Sequence, residues 1–426
     1  MMKKICAASG FDIIPFEEQA DIYVINTCTV TGNADKKSRH AIRMVKKNNA
    51  KSTVIATGCY VETKSFNMKE ADLILHNEDK LNIDKFIRDE RPASRQGGRE
   101  MRDAKNISSP ISHLASRVRS NLMIENGCEN FCSYCIVPFV RGKIISKPVD
   151  QVISEAKSMV KDGVKEIVLT GINLGEYKTD IPSRVSHLAS LIDELSKIDG
   201  LLRIRLSSIE PMYITDDLIK VVKEDPKVCK HLHIPLQSGD DKILKAMNRN
   251  YTSKDFLDMT KKIREQIKDI AITTDIIIGF PGEDDKAFKN TCGLADKARF
   301  SRIHIFSYSD RPGTAASKLP DKIDPKTIAK RHEKLGEIRD KLMLKFHSSF
   351  IKRPVEVLIE QKDRKTGMYE GLSSGFIRVF LAGLPRSPLR IEASRRGDDM
   401  GDECLGRLIP VKFKEFQGEN VIARLR

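Results

Sequence analysis

The sequence predicts an α/β fold: an N-terminal parallel α/β domain (1–91), a linker (92–117), a central partial barrel of about six β/α units (118–352) and a small C-terminal all-β domain (353–426). Three observations predict it. Short apolar runs alternate with helical stretches from Ile22 to Phe350, the pattern of parallel sheets. Polar and glycine residues follow each central run, as at Thr170-Gly171 and Gln237-Ser238-Gly239. After Arg353 the texture changes to short β runs separated by glycine and charged turns.

Length and composition are compatible with this plan. The 426 residues allow two to four domains, and 40% hydrophobic with 31% charged residues is an ordinary soluble composition. Met1 to Pro15 lacks a long apolar run, and no stretch reaches the ~18 apolar residues of a spanning helix, so no membrane role is expected. Nine cysteines, an odd number, fit a reducing compartment, so a cytoplasmic location is expected. The net charge of +15 favours a polyanionic partner such as nucleic acid. With no Trp and 6% aromatics, phosphate contacts rather than base stacking would carry the affinity.

In the N-terminal part, Ile22–Ile25 and Thr53–Thr57 read as strands, a helix runs from about Ala34 to Lys47, and Leu73–Leu75 is a third strand before a helix at Asp84–Arg88. Cys28 and Cys59 both fall just after strands, where loops of a parallel sheet gather at one edge. They can converge there, or be two buried core cysteines. Residues 92–117, rich in Arg, Ser, Gly and Lys, read as the linker. The central strands are Leu122–Ile124, Glu166–Thr170, Leu202–Leu206, His231–Leu236, Ile272–Ile278 and Ile303–Phe306. Six units are too few for a closed eight-stranded barrel, and the active face of such barrels is the carboxyl end of the strands. His231 and His233 share a face of their strand and read as satisfied barrel residues. A long amphipathic helix spans 324–350. Five β runs close the chain: Val355–Ile359, Phe376–Leu381, Leu389–Ile391, Ile409–Phe413 and Val421–Leu425. Arg378, Arg386, Arg390, Arg395, Arg396, Lys412 and Lys414 make them a candidate RNA-binding module.

The chemistry centres on Cys128-Glu-Asn-Phe-Cys132-Ser-Tyr-Cys135. Three thiolates at CxxxCxxC spacing can ligate three irons of a cubane [4Fe–4S] cluster, whereas ferredoxin-type cubanes use four. The next cysteine is Cys229, so one iron stays open to an exogenous ligand. Zinc sites favour paired CxxC spacings instead.

The triplet resembles the signature of radical S-adenosylmethionine (SAM) enzymes. Together with Asn26-Thr27-Cys28, Gly58-Cys59, Arg141-Gly142, Ser207 to Pro211, Pro235 to Gly239, Arg249-Asn250-Tyr251, Asp275 to Glu283 and Arg311 to Thr314, it resembles the methylthiotransferases over essentially the whole chain. Cys28 to Thr31 followed by Ala34 to Arg39 looks most like the branch that adds a 2-methylthio group to N6-threonylcarbamoyladenosine at tRNA position 37. The resemblance implies a SAM-binding [4Fe–4S] cluster on Cys128, Cys132 and Cys135, and SAM as cofactor. It implies an auxiliary [4Fe–4S] cluster, for which only Cys28 and Cys59 match three family ligands. A tRNA partner, an electron donor such as flavodoxin or ferredoxin, a monomer, and a TRAM-like C-terminal barrel are also implied. Tyr134 would lie against the adenine and Thr170 and Gly171 near the methionine end of SAM. Ser207, Glu210 and Gln237 are further candidates, and Ile276 to Gly279 would offer backbone hydrogen bonds.

The sequence departs from the family in four places. The opening strand and first cluster ligand are missing, so the N-terminus is expected to be truncated. Cys6 lies in a helical stretch, Met1 to Ser9, out of register with that ligand. Ile145-Ser146-Lys147 stands where the family has two arginines around the serine. Leu384 to Pro388 interrupts the C-terminal β unit. Other readings stay open: the isopentenyladenosine branch, the branch acting on a ribosomal-protein aspartate, a chain that cleaves SAM without transferring sulfur, and an RNA-binding protein with a vestigial cluster.

Overall fold

The computed structural model of the chain describes residues 2–63, 66–89, 118–179, 186–351, 353–363, 366–381, 404–417 and 420–425. The expected linker at 92–117, the expected strand Leu389–Ile391, the interruption Leu384 to Pro388, and Arg386, Arg390, Arg395 and Arg396 lie outside the described residues. No helix among the described residues is long and apolar enough to cross a membrane. The residues fall into two units, 1–115 with 129–142 and 309–317, and 116–128 with 143–308 and 318–426.

In the first unit, β1 (Ile22–Thr27), β2 (Thr53–Gly58) and β3 (Leu73–Leu75) form a parallel sheet in that order. Thr27 pairs with Gly58 at the end of the β1–β2 ladder. Helix Gly32–Asn48 is capped by the Thr31 side chain, which accepts from the Ala34 N–H, and it buries Ile42 and Val45 against Tyr23, Ile25, Val54 and Ala56. Helix Met2–Ala8 occupies the expected place, and Cys6 is buried with Ile55, Leu75, Ile83 and Ile87. Gly58 has φ +99°, and a Cβ there would lie 2.2 Å from the Thr27 carbonyl oxygen, so only glycine lets β2 turn into Cys59.

The second unit holds the barrel strands β4 (Arg119–Met123), β7 (Glu166–Thr170), β8 (Arg203–Leu206), β9 (His231–His233), β10 (Ala271–Ile278) and β11 (Arg302–Ser307); β5 (Glu125–Asn126) and β6 (Ile145–Ser146) form a short antiparallel pair. Two parallel ladders, β4-β7-β8 and β9-β10-β11, are joined by the bridge between Ser208 and His233. The six strands thus follow chain order, as βαβ connections require. Helices such as Val149–Lys161, Asp285–Ala298 and Pro325–Ser348 cover one face of these strands over a single core that runs from Leu122 to Leu342. The strand expected at His231–Leu236 stops at His233: Pro235 has no N–H to pair, and Gln237 turns left-handed at φ +63°.

The C-terminal strands β12 (Pro354–Lys362), β13 (Tyr369–Ser373), β14 (Arg378–Leu381), β15 (Leu408–Gln417) and β16 (Asn420–Leu425) close into a barrel in the order β12-β13-β14-β16-β15. β13, Tyr-Glu-Gly-Leu-Ser, was not expected; its pairing with both β12 and β14 defines it, not its composition. This barrel is held to the base of the β/α strands by two buried arginines. Arg203 donates to the Leu372 and Glu356 carbonyl oxygens at 2.6 and 2.9 Å. Arg205 pairs with buried Glu166 at 2.7 Å and donates to the Ser373 and Ser374 carbonyl oxygens at 3.0 Å each.

Candidate cluster and cofactor site

Cys128 leaves the β5 region after Gly127, whose φ is +94°, and is buried. Cys132 and Cys135 are half-buried, and the Cys135 N–H donates to the Cys132 carbonyl oxygen at 2.9 Å. That bond makes the second half of the loop a tight turn, with half-buried Tyr134 on it and helix Val137–Arg141 directly after. In the same unit as Cys132 and Cys135, Cys28 is exposed and Cys59 buried at the ends of neighbouring strands, with the Cys59 N–H on the Thr27 carbonyl oxygen at 3.1 Å. The Arg141 Nε donates to the Cys59 Sγ at 2.9 Å. Buried Arg311 donates to the Asp35 carboxylate at 2.7 Å and to the Thr29 hydroxyl, and so holds the loop that carries Cys28. Cys6 lies in the hydrophobic core, where burial pushes its thiol up, and it does not join them.

The loops at the carboxyl ends of the barrel strands are stitched by one hydrogen-bonded chain. Glu125 accepts from the Asn173 N–H at 2.8 Å, and the Asn173 Oδ1 accepts from the Glu210 N–H at 3.1 Å. The Glu210 carboxylate takes a two-pronged contact from buried Arg249, with Nη1 to Oε1 at 2.9 Å. Tyr251 stacks under Arg249 and donates to the Leu236 carbonyl oxygen at 2.9 Å, which anchors the turn carrying Gln237. Burial pushes the Glu210 and Glu125 carboxyls up, and Arg249 partly offsets this at Glu210. Thr170 ends β7, and its carbonyl oxygen accepts the Ile124 N–H. A Cβ on Gly171 would come within 1.7 Å of the Glu125 Oε1, so glycine lets that carboxylate reach Asn173.

Two candidate side chains point to a missing ligand: the Ser207 Oγ and the Gln237 Oε1 are buried with no protein partner. Most buried polar groups in proteins are paired, and Gln237 also holds a left-handed backbone, a conformation few non-glycine residues adopt. The zwitterionic methionine end and ribose hydroxyls of SAM are groups these atoms can bind, so the residues present fit that cofactor. Ile276 to Gly279 fit it less well than expected. Ile276 is fully buried, and the N–H groups of Ile277 and Gly279 are spent on the Gln237 carbonyl oxygen and the Glu283 carboxylate. Asn173, Glu125 and Arg249 carry the stitching. None was singled out as a site residue in the sequence, where the signals were the Arg249-Asn250-Tyr251 motif and the position of Asn173 after a strand.

A cysteine-triplet loop that follows the first strand of a six-stranded parallel barrel, with unmet polar groups at the strand ends, defines a radical SAM enzyme. The comparisons agree. Residues 123–295 match the Radical SAM superfamily and residues 1–76 the Uncharacterized protein family UPF0004. The chain is 35% identical over 385 residues (88% of this chain, 85% of the relative) to the threonylcarbamoyladenosine tRNA methylthiotransferase MtaB of Bacillus subtilis. It is 34% identical over 383 residues (88% and 86%) to MtaB of Thermotoga maritima. It is also 34% identical over 394 residues (90% of each) to the tRNA-2-methylthio-N(6)-dimethylallyladenosine synthase of Endomicrobium trichonymphae. Among solved structures, the radical SAM methyltransferase TsrM from Kitasatospora setae, with cobalamin and a [4Fe-4S] cluster bound, superposes with TM-score 0.51 at 14% identity over 74% of this chain and 68% of that one, a likeness of fold alone. The chain belongs to the radical SAM methylthiotransferase family.

Proposed function

We propose that this chain adds a 2-methylthio group to N6-threonylcarbamoyladenosine at position 37 of tRNA. The observation that carries this reading is the intact CxxxCxxC triplet in a chain that matches the threonylcarbamoyladenosine enzymes over 88% of its length. The [4Fe–4S] cluster and SAM, when bound, supply an electron and the radical precursor. Cys128, Cys132 and Cys135 are the thiolates that hold three irons. Tyr134 packs on the adenine, and Thr170 and Gly171 border the methionine end. Ser207 and Gln237 give their unpartnered oxygens to SAM, with Glu210 fixed by Arg249 beside them. Ile276 and Gly279 line the same end of β10. Cys28 and Cys59 are the thiolates of the auxiliary cluster, with Arg141 donating to Cys59. The domain limits 1–91, 118–352 and 353–426, a cytoplasmic location, a monomeric state and a flavodoxin- or ferredoxin-type reductant belong to the same reading. The charge of +15 supports tRNA as the partner.

The test is anaerobic reconstitution with iron and sulfide, then incubation with SAM, reductant and tRNA bearing the unmethylthiolated base. Nucleoside mass spectrometry showing the 2-methylthio product supports the proposal, and its absence, with SAM cleavage intact, refutes it. That second outcome is the signature of a chain that cleaves SAM without sulfur transfer.

A further inference from the structure

On β9, β10 and β11 the residues Leu232, Ile272, Ile276, Ile278 and Ile303 pack into the core. Strand alternation sends His231, His233, Thr273, Asp275 and His304 to the opposite face, inside the barrel. There they form one connected line. The His231 Nε2 and the His233 Nδ1 lie 3.0 and 2.9 Å from the Thr273 Oγ1. The Asp275 carboxylate meets the His233 Nε2 at 3.2 Å through Oδ2 and the His304 Nδ1 at 3.2 Å through Oδ1. The His233 and His304 rings stack with centroids 5.6 Å apart. The Asp275 carbonyl oxygen accepts the Gln237 N–H at 2.8 Å, which puts the line beside one of the cofactor candidates.

The network assigns the protons. His231 is fully buried, stacked on Phe376, and burial drives its imidazole far below the usual range, so it is neutral. Its Nδ1 has no partner. A buried lone pair left unmet is tolerated better than a buried N–H, so the proton sits on Nε2 and donates to Thr273. The Thr273 hydroxyl then donates to the His233 Nδ1, which leaves the His233 proton on Nε2, aimed at Asp275. Burial pushes the Asp275 carboxyl up, but the hydrogen bonds and charge of His233 and His304 outweigh it and hold it at about 2. It is therefore an anion that accepts only, and His304 meets it with Nδ1–H. In the neutral ring the His304 Nε2 lone pair is what remains, on a side chain 38% exposed beside Asp275 at 24%. With His304 neutral, this patch of the barrel interior offers acceptors and no free donor.

We propose that His304 and Asp275, aligned by His233 and Thr273, bind hydrogen-bond donors on the N6 substituent of the target adenosine and select a substituent bearing hydroxyl or urea N–H groups over an apolar prenyl. The inference rests on the threonylcarbamoyladenosine reading above. That substituent carries both kinds of donor, and its carboxylate would be turned away from Asp275. A dimethylallyl group placed there would cover the acceptors without satisfying them. A polar site rejects an analogue that lacks the matching group far more strongly than an apolar pocket rejects an extra one.

Two measurements test this on the reconstituted holoenzyme. The first is the ratio of kcat/KM for tRNA carrying threonylcarbamoyladenosine to that for tRNA carrying dimethylallyladenosine. His304→Leu should lower it by roughly 10-fold or more, and His304→Gln, which keeps an acceptor, should restore part of it. A wild-type ratio below one would overturn the reading of the substrate. A wild-type ratio above one that His304→Leu leaves in place overturns the present inference alone. The second is a 15N-histidine correlation spectrum, which needs no turnover. It should report Nδ1–H on His304 and Nε2–H on His231 and His233, with the His304 signal moved by the threonylcarbamoyladenosine nucleoside and not by the dimethylallyl one. An Nε2–H tautomer at His304, or uptake of a divalent cation by His233, Asp275 and His304 in its place, refutes the proposal.

Discussion

Arg205→Met tests whether the C-terminal barrel is tied to the β/α strands by buried charge. Methionine keeps much of the volume, so what is lost is the 2.7 Å pair with Glu166 and the two donors to the Ser373 and Ser374 carbonyl oxygens. Removing one partner of a buried pair costs about 3–5 kcal/mol. The low end applies, because Arg119 at 3.2 Å and Arg203 at 3.8 Å still face Glu166. The Ser373 carbonyl oxygen keeps the Phe376 N–H at 3.1 Å, so only the Ser374 carbonyl loses its donor; this adds roughly 1 kcal/mol, for a total of about 4 kcal/mol. For a unit of this size that corresponds to a fall in Tm of roughly 6–8 °C, read by circular dichroism or calorimetry. The pH profile carries the same signature. Arg205, Arg119 and Arg203 overcome burial and hold the Glu166 carboxyl below its usual value. Its stabilisation is therefore complete above the unfolded carboxyl pKa of about 4.3 and is lost as pH falls through the lower folded value. A Tm change under about 3 °C for Arg205→Met would refute the reasoning.

Three further outcomes are expected. Cys128→Ala, Cys132→Ala or Cys135→Ala should each remove about four irons per chain and abolish formation of 5′-deoxyadenosine, measured by iron analysis and chromatography of reduced, SAM-treated protein; iron retained at the wild-type level would contradict the ligand assignment. Gly171→Ala places a Cβ 1.7 Å from the Glu125 Oε1, so Glu125 must leave Asn173; a loss of ~1–3 kcal/mol in denaturant melts and weaker SAM binding by calorimetry follow. His347, buried beside Arg302, is held at about 4, below its usual 6.5, so the folded state resists protonation. Its share of stability, up to ~3 kcal/mol, is intact above pH 6.5 and lost as pH falls toward 4, a slope that His347→Asn should flatten in melts across that range.

Much of this molecule is legible in residue order because the relevant physics is local. Three thiolates within eight residues are close in space whatever surrounds them, so Cys128, Cys132 and Cys135 announce cluster chemistry unaided. Apolar runs alternating with helical stretches announce parallel sheets, and the strand ends that carry Cys28, Cys59, Thr170 and Ser207 follow from that topology. What the tertiary structure alone decided depends on which strand lies beside which, and in what register. His233 was read as a satisfied barrel residue because nothing in the sequence places Asp275, 42 positions on, or His304, 29 further, beside it; the β9-β10-β11 order does. Arg205 and Arg203 look like ordinary charges in a strand until the C-terminal barrel brings backbone carbonyls to them. β13 has too little strand character to be found by composition and exists because two neighbours pair with it. Local spacing determines which chemistry the chain can hold, and pairing register determines which side chains meet, since a period of two sets the face a residue occupies but not the neighbour it finds there.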